Sequence, residues 1–135
     1  YISKANFKFI NVVPKILIID DELDFLKMIQ EYLSKIGYNV IAFNDPFEGF
    51  KYFKLNSSEI VLIITDWKMP KMNGLVLATQ IRQLNIMVKI VMLTAYDIDL
   101  VKACPEYETA KMYKIIQKPI RLLLLKNLLT ELLIR

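Results

Sequence analysis

The sequence contains no histidine and a single cysteine, Cys104. These shortages exclude an internal disulfide, a Cys/His zinc pattern, and any Ser-His or Cys-His dyad within the chain. Histidine chemistry, if used, must come from a partner. Long hydrophobic runs are missing too: stretches such as Val61 to Ile64 and Leu122 to Leu125 fall far short of the ~18 apolar residues of a membrane span. The first residues mix polar and apolar types with no small-residue cleavage pattern, so a cytoplasmic domain without membrane attachment is expected. The 18 Lys and Arg outnumber the 14 Asp and Glu but are dispersed, which favours a solvated surface over direct nucleic-acid binding. At 135 residues the chain has the size of one domain, able to bury a core without a disulfide or structural metal.

What is present is an alternation. Ile16 to Ile19 is continuously apolar, as expected for a parallel strand buried on both faces. Leu23, Leu26, Ile29, Leu33 and Ile36 then fall at helical spacing, and Gly37 stands where a helix-ending glycine belongs. The pattern repeats with Asn39 to Phe43 as strand and Pro46 to Leu55 as helix, Asp45 being its cap. Ile60 to Thr65 is read as strand, Gly74 to Leu84 as helix, Val88 to Leu93 and Tyr113 to Gln117 as strands, and Ile120 to Leu133 as the last helix. Between Leu100 and Met112, Pro105 predicts a short or broken fourth helix, with Asp97 as its cap. Residues 1–14 precede the first strand as an arm, a tag remnant or an extra strand, and 15–135 form the domain. Five βα units imply an α/β fold with a parallel sheet, helices on both faces and right-handed crossovers.

Four of the five strands run into residues that carry chemistry: Asp20-Asp21-Glu22, Asp66, Thr94 and Lys118. In an open parallel sheet the carboxyl ends of the strands share one crevice, so residues far apart in sequence would meet there. Adjacent carboxylates raise each other's pKa unless a counter-charge is near. A hard divalent cation supplies one, and carboxylates from two strands suit Mg²⁺ better than calcium or zinc; the alternative is that Asp21 or Asp24 caps the following helix. Asp66, between a buried strand and the turn Met69-Pro70-Lys71-Met72-Asn73-Gly74, can act as a nucleophile toward phosphorus or be a solvated loop residue. Thr94 can donate to a phosphoryl oxygen or cap a helix; Lys118 can supply a compact positive charge or be a surface lysine. Pro119 biases Lys118 toward an extended backbone. The occurrence of all of them in order favours one shared site.

The segments Lys15 to Glu22, Asp66 to Gly74, Leu93-Thr94-Ala95 and Lys118-Pro119, in that order and at these intervals, resemble the receiver domain of two-component response regulators. The resemblance covers Lys15 to about Leu133. It implies a flavodoxin-like (βα)5 three-layer sandwich with a five-stranded parallel sheet in the order 2-1-3-4-5. It further implies that a partner histidine kinase or histidine phosphotransfer protein donates a phosphoryl group to Asp66 in a Mg²⁺-dependent reaction. Asp21 and Asp66 would ligate the metal directly, the backbone carbonyl of Lys68 would complete the protein ligands, and Asp20 would act mainly through water. Thr94 and Lys118 would bind the phosphoryl group. Such a domain is a signalling switch that catalyses its own phosphorylation, not an enzyme turning over a separate substrate.

Two other readings stand beside this one. A phosphohydrolase using an aspartyl phosphate typically needs a second carboxylate two residues after the nucleophile, and Lys68 occupies that position. A phosphorylation-independent receiver-like interaction module is the other. The chain departs from the family pattern at Ile115, where an aromatic is frequent, with Tyr113 two residues earlier, and at Ala110-Lys111-Met112, which replaces a Gly-Ala pair. Lys68 and Tyr96, two residues beyond Asp66 and Thr94, are expected to influence how fast water reaches an acyl phosphate. Leu122 to Leu125, Leu128, Leu129, Leu132, Leu133 and Ile134 make a stripe wider than one buried face. Together with the fourth helix and fifth strand, that last helix is expected to contact a second copy or a downstream target, the alternative being a thickly covered helix in a small domain.

Overall fold

The computed structural model describes residues 13–133. Strands β1 (Lys15–Ile19), β2 (Asn39–Phe43), β3 (Ile60–Thr65), β4 (Lys89–Thr94) and β5 (Lys114–Gln117) form one parallel sheet in the order β2-β1-β3-β4-β5. Between and after them run α1 (Leu23–Lys35), α2 (Pro46–Asn56), α3 (Gly74–Leu84), α4 (Ile98–Lys102), α5 (Tyr107–Ala110) and α6 (Leu122–Leu133). The flavodoxin-like fold and strand order expected from the sequence are the ones observed.

Successive strand residues point to opposite faces, so a continuous apolar run feeds two cores at once. In β1, Leu17 and Ile19 enter a cluster with Phe53 of α2 and Leu77 and Ile81 of α3, whereas Ile16 and Ile18 join Leu26, Ile29 and Leu33 of α1 and Leu125 and Leu129 of α6. The strands β3 and β4 split the same way, Ile63, Ile90 and Met92 to the first cluster and Leu62, Ile64, Val91 and Leu93 to the second. Both faces of the sheet are thus covered, and what remains open for chemistry is the rim at the strand ends.

Asp45, Asn73 and Asp97 cap α2, α3 and α4, each accepting backbone N–H groups of the first turn. Neither Asp21 nor Asp24 caps α1: Glu22 holds the N-cap position without a side-chain bond. Gly37, at φ 104, ends that helix in a conformation other residues rarely adopt. The fourth helix of the sequence reading is divided into α4 and α5, with Pro105 between them. β4 and β5 each begin one residue later than read. Tyr113 still donates its N–H to Ile90 O at 2.8 Å. The last helix begins at Leu122 rather than Ile120, its first bond running from Leu125 N to Arg121 O. Its wide stripe divides: Leu125, Leu128, Leu129 and Leu132 are buried, while Leu123 and Leu124 are exposed. The arm read over 1–14 is described at Val13 and Pro14 alone, and Ile134 lies outside the described residues. Among the described residues no helix is long and apolar enough to cross a membrane.

Arg82, in the last turn of α3, joins three segments. Its Nε donates to Ala110 O at 3.1 Å and its Nη2 to Lys111 O at 2.7 Å, while Nη1 donates to the carbonyls of Asn85, Ile86 and Val88. Lys111, at φ 47, is left-handed where a glycine would carry less strain, and the guanidinium holds its carbonyl. Replacing Arg82 by methionine is expected to lower the unfolding free energy by about 2 kcal/mol in a urea titration, since several carbonyls lose a charged donor. A loss below about 0.5 kcal/mol would mean that water serves those carbonyls equally well.

Candidate functional site

Backbone hydrogen bonds continue the sheet ladder one residue past the strands and thereby fix the chemistry-bearing side chains. Asp20 N donates to Phe43 O at 3.1 Å, Asp66 N to Ile19 O at 3.0 Å, and Lys118 N to Thr94 O at 2.6 Å. Asp20, Asp66 and Lys118 are therefore held as rigidly as strand residues, although they lie just beyond the strands. The turn after Asp66 is fixed by Gly74, whose N–H donates to Trp67 O at 2.7 Å. A Cβ at Gly74 would collide with the Asp66 carbonyl oxygen, so only glycine permits the start of α3 to approach this closely.

Lys118 occupies the centre. Its side chain is 11% exposed, its ammonium is 2.8 Å from Asp20 Oδ2, 3.7 Å from Asp66 Oδ2 and 3.8 Å from Glu22 Oε1, and it lies 3.9 Å from the centroid of the Phe25 ring. It is not a surface lysine. Asp20 is buried, and its second oxygen accepts Glu22 N–H at 2.9 Å. Burial raises the Asp20 carboxyl above its ordinary range, against the opposing pull of the Lys118 ammonium and the Glu22 N–H. Asp66 is pushed up to about 6, chiefly by burial and then by the neighbouring Asp20 charge, with Lys118 and the Trp67 N–H opposing. Its Oδ1 accepts that N–H at 2.7 Å. Thr94 is fully buried and its Oγ1 accepts Tyr96 N–H at 3.2 Å, so its hydroxyl proton is not used in that bond. The helix cap that follows is Asp97, not Thr94.

Asp21 is exposed, but one oxygen from each of Asp20, Asp21 and Asp66 lies within 4.8 Å of the others. Three hard oxygen donors from two strand ends, carrying more negative charge than one lysine offsets, fit Mg²⁺. Lys68 lies in the turn after Asp66, with its ammonium 4.3 Å from the centroid of the Trp67 ring. Asp20, Asp21, Asp66, Thr94 and Lys118 thus meet at one end of the sheet. The sequence reading missed Phe25 beneath Lys118, and also the Asp45–Lys71 ion pair at 3.1 Å, which spans a cleft of about 360 Å³ beside Asp21. An aromatic three residues beyond an acidic cluster was the available signal for Phe25. Nothing local announced the ion pair, whose partners are separated by 26 positions.

Comparison with known proteins agrees with this geometry. Residues 16–130 match the response regulator receiver domain family. The chain belongs to that family. This receiver is 39% identical over 83 residues to the alkaline phosphatase synthesis transcriptional regulatory protein PhoP of Bacillus subtilis, a match covering 62% of the chain and 34% of PhoP. Less than two thirds of that relative is therefore represented. Among solved structures, the receiver resembles a response regulator receiver domain protein from Clostridium thermocellum with a TM-score of 0.79 and 28% identity, covering 89% of this chain and 94% of that one. It also resembles the response regulator TrrA of Thermotoga maritima, solved in complex with Mg²⁺ and BeF, with a TM-score of 0.77 and 28% identity over 90% of this chain and 100% of that one.

Proposed function

We propose that this receiver accepts a phosphoryl group on Asp66 from a histidine of a partner sensor kinase or phosphotransfer protein, and that the modified site switches its interaction surface. The observation that carries this reading is the placement of the Lys118 ammonium between the carboxylates of Asp20 and Asp66 at the end of the sheet. In the transfer, an Asp66 carboxylate oxygen attacks phosphorus, an O–P bond forms, the P–N bond of the donor phosphoimidazole breaks, and the imidazole takes up a proton. With a pKa of about 6, Asp66 is mostly ionised at neutral pH yet more basic than an ordinary aspartate, which favours attack. Lys118 and the Thr94 hydroxyl would receive the phosphoryl oxygens, adding fixed positive charge and a donor where charge shifts in the transition state. Asp21, Asp66 and the Lys68 carbonyl would hold Mg²⁺ directly, with Asp20 acting through water. Bound there, the ion would neutralise charge on the phosphoryl oxygens and the clustered carboxylates.

The setting is cytoplasmic on this reading, and the exposed Leu123 and Leu124 of α6, near β5, are the surface offered to a second copy or a downstream target. The test is intact-mass spectrometry after incubation with acetyl phosphate and Mg²⁺, comparing wild type with Asp66→Asn. A gain of one phosphoryl group that requires both Mg²⁺ and Asp66 is expected. No gain by a folded wild-type protein, from acetyl phosphate or from a histidine kinase donor, would leave the phosphorylation-independent interaction module as the better reading.

A further inference from the structure

The Lys118 ammonium rests on an aromatic face as well as among carboxylates. Its Nζ lies 3.9 Å from the centroid of the Phe25 ring, well inside the ~6 Å over which a ring face attracts a cation. The carboxylates around it divide unequally. Asp20 Oδ2 at 2.8 Å takes a hydrogen bond, whereas Asp66 Oδ2 at 3.7 Å and Glu22 Oε1 at 3.8 Å stand beyond hydrogen-bond reach. Phe25 sits in the first turn of α1, half-buried and packed against the core cluster that holds Ile18, Leu26 and Ile29. Its ring is therefore fixed by the fold, whereas a lysine side chain has many rotamers to lose. Glu22, whose side chain is 66% exposed, is the partner that would draw the ammonium toward solvent.

Ring and carboxylate hold a cation differently. A carboxylate occupies one of the ammonium's N–H donors, and its pull falls when a divalent ion neutralises it. A ring face attracts the charge through its quadrupole, which an ion bound to the carboxylates does not neutralise. We propose that Phe25 is a positioning residue for phosphoryl transfer: its ring keeps the Lys118 ammonium beside Asp66 once Mg²⁺ engages the carboxylates and the Asp20–Lys118 attraction weakens. The inference rests on the reading of Asp66 as phosphoacceptor. Phe25 acts through Lys118 rather than on the phosphoryl group itself. With the ring in place the ammonium is already ordered near Asp66, so the transition state does not have to gather a long side chain from solvent. An aliphatic side chain at this position would fill the space against the core but offer the cation no attraction, and Lys118 would turn toward Glu22 and water.

The measurement compares the full wild-type chain with Phe25→Leu and Phe25→Met, which remove the ring, and with Phe25→Tyr, which keeps it, each checked for folding by far-UV circular dichroism. Labelling by acetyl phosphate at saturating Mg²⁺, followed by intact mass, is expected to be roughly tenfold slower in the two variants without the ring and near wild type in Phe25→Tyr. The Mg²⁺ affinity, by calorimetry, should be unchanged in all of them, since Phe25 offers the ion no ligand. A general loosening of the site would lower both quantities together. Independently of labelling, NMR of the Lys118 Cε–Hε group in the wild type should show protons shifted upfield by the ring, and they should stay shifted when Mg²⁺ is added. Unchanged labelling without the ring, Phe25→Tyr as slow as Phe25→Leu, Mg²⁺ affinity falling in step with the labelling rate, or loss of the ring shift on adding Mg²⁺ would each overturn the inference and leave the phosphoacceptor reading standing. If the wild type never gains the phosphoryl group, that reading fails and takes this inference with it.

Discussion

Replacing Lys118 by methionine is expected to cost roughly 3 kcal/mol of stability at neutral pH in the absence of divalent ions. It should also slow phosphorylation of Asp66 by about 100-fold or more. The ammonium is 11% exposed and bonded at 2.8 Å to a carboxylate that is itself buried, so its removal leaves Asp20 without a counter-charge and Asp66 without its nearest cation. Losing one partner of a buried pair is costly because the other charge stays desolvated. Methionine retains most of the packing against Phe25, so the loss reports charge more than volume. Because the penalty lies in ionised carboxylates, it should shrink as pH falls and they protonate, and millimolar Mg²⁺ should recover part of it. Urea unfolding in EDTA at pH 7.5 and pH 4.5, with acetyl phosphate labelling followed by mass, measures both effects. A pH-independent loss would mean that Lys118 acts through packing, and an unchanged labelling rate would remove it from the transfer step.

Asp66→Asn should have the opposite effect on stability while abolishing phosphorylation. Asp66 titrates near 6 in the folded protein, above its ordinary 3.8, so the folded state holds its proton more tightly than the unfolded chain does. Stability associated with this group is therefore fully present below about pH 4 and is lost as pH rises through about 6. A tenfold difference in proton affinity between the folded and unfolded chain corresponds to about 1.4 kcal/mol. Allowing for solvent screening at this 14% exposed side chain, the ionised carboxylate costs on the order of 1–2 kcal/mol at neutral pH. Asparagine keeps an acceptor for the Trp67 N–H but carries no charge. Its advantage over wild type should be small at pH 4.5, grow through pH 5 to 6, and level off above it, in urea titrations with EDTA. A variant less stable than wild type at pH 7.5, or a difference constant with pH, would show that burial and the Asp20 charge do not dominate this group.

The parallel sheet was legible in the chain because burial on both faces demands continuous apolar runs: Ile16 to Ile19 and Ile60 to Ile64 follow from where they must pack. The caps Asp45 and Asp97 and the helix-ending Gly37 were legible for a similarly local reason, since each satisfies backbone groups or a backbone angle within a few residues of itself. The same holds for the meeting of Asp20, Asp21, Asp66, Thr94 and Lys118 at one rim, because strand ends of a parallel sheet must converge there.

The structure alone decided which partners these groups have. That Lys118 bonds Asp20 at 2.8 Å while lying farther, at 3.7 Å, from Asp66, and rests on Phe25, depends on side-chain packing across 98 positions of chain. Arg82 reaching Lys111, Lys71 reaching Asp45 and Tyr96 meeting Trp67 are likewise contacts between separate segments whose spacing is set by the assembled layers. Local sequence encodes backbone propensity and the side on which a residue is buried. The strength of an ion pair and the pKa of a carboxylate depend instead on distances and desolvation, and both exist only once the sheet and its helices have closed around them.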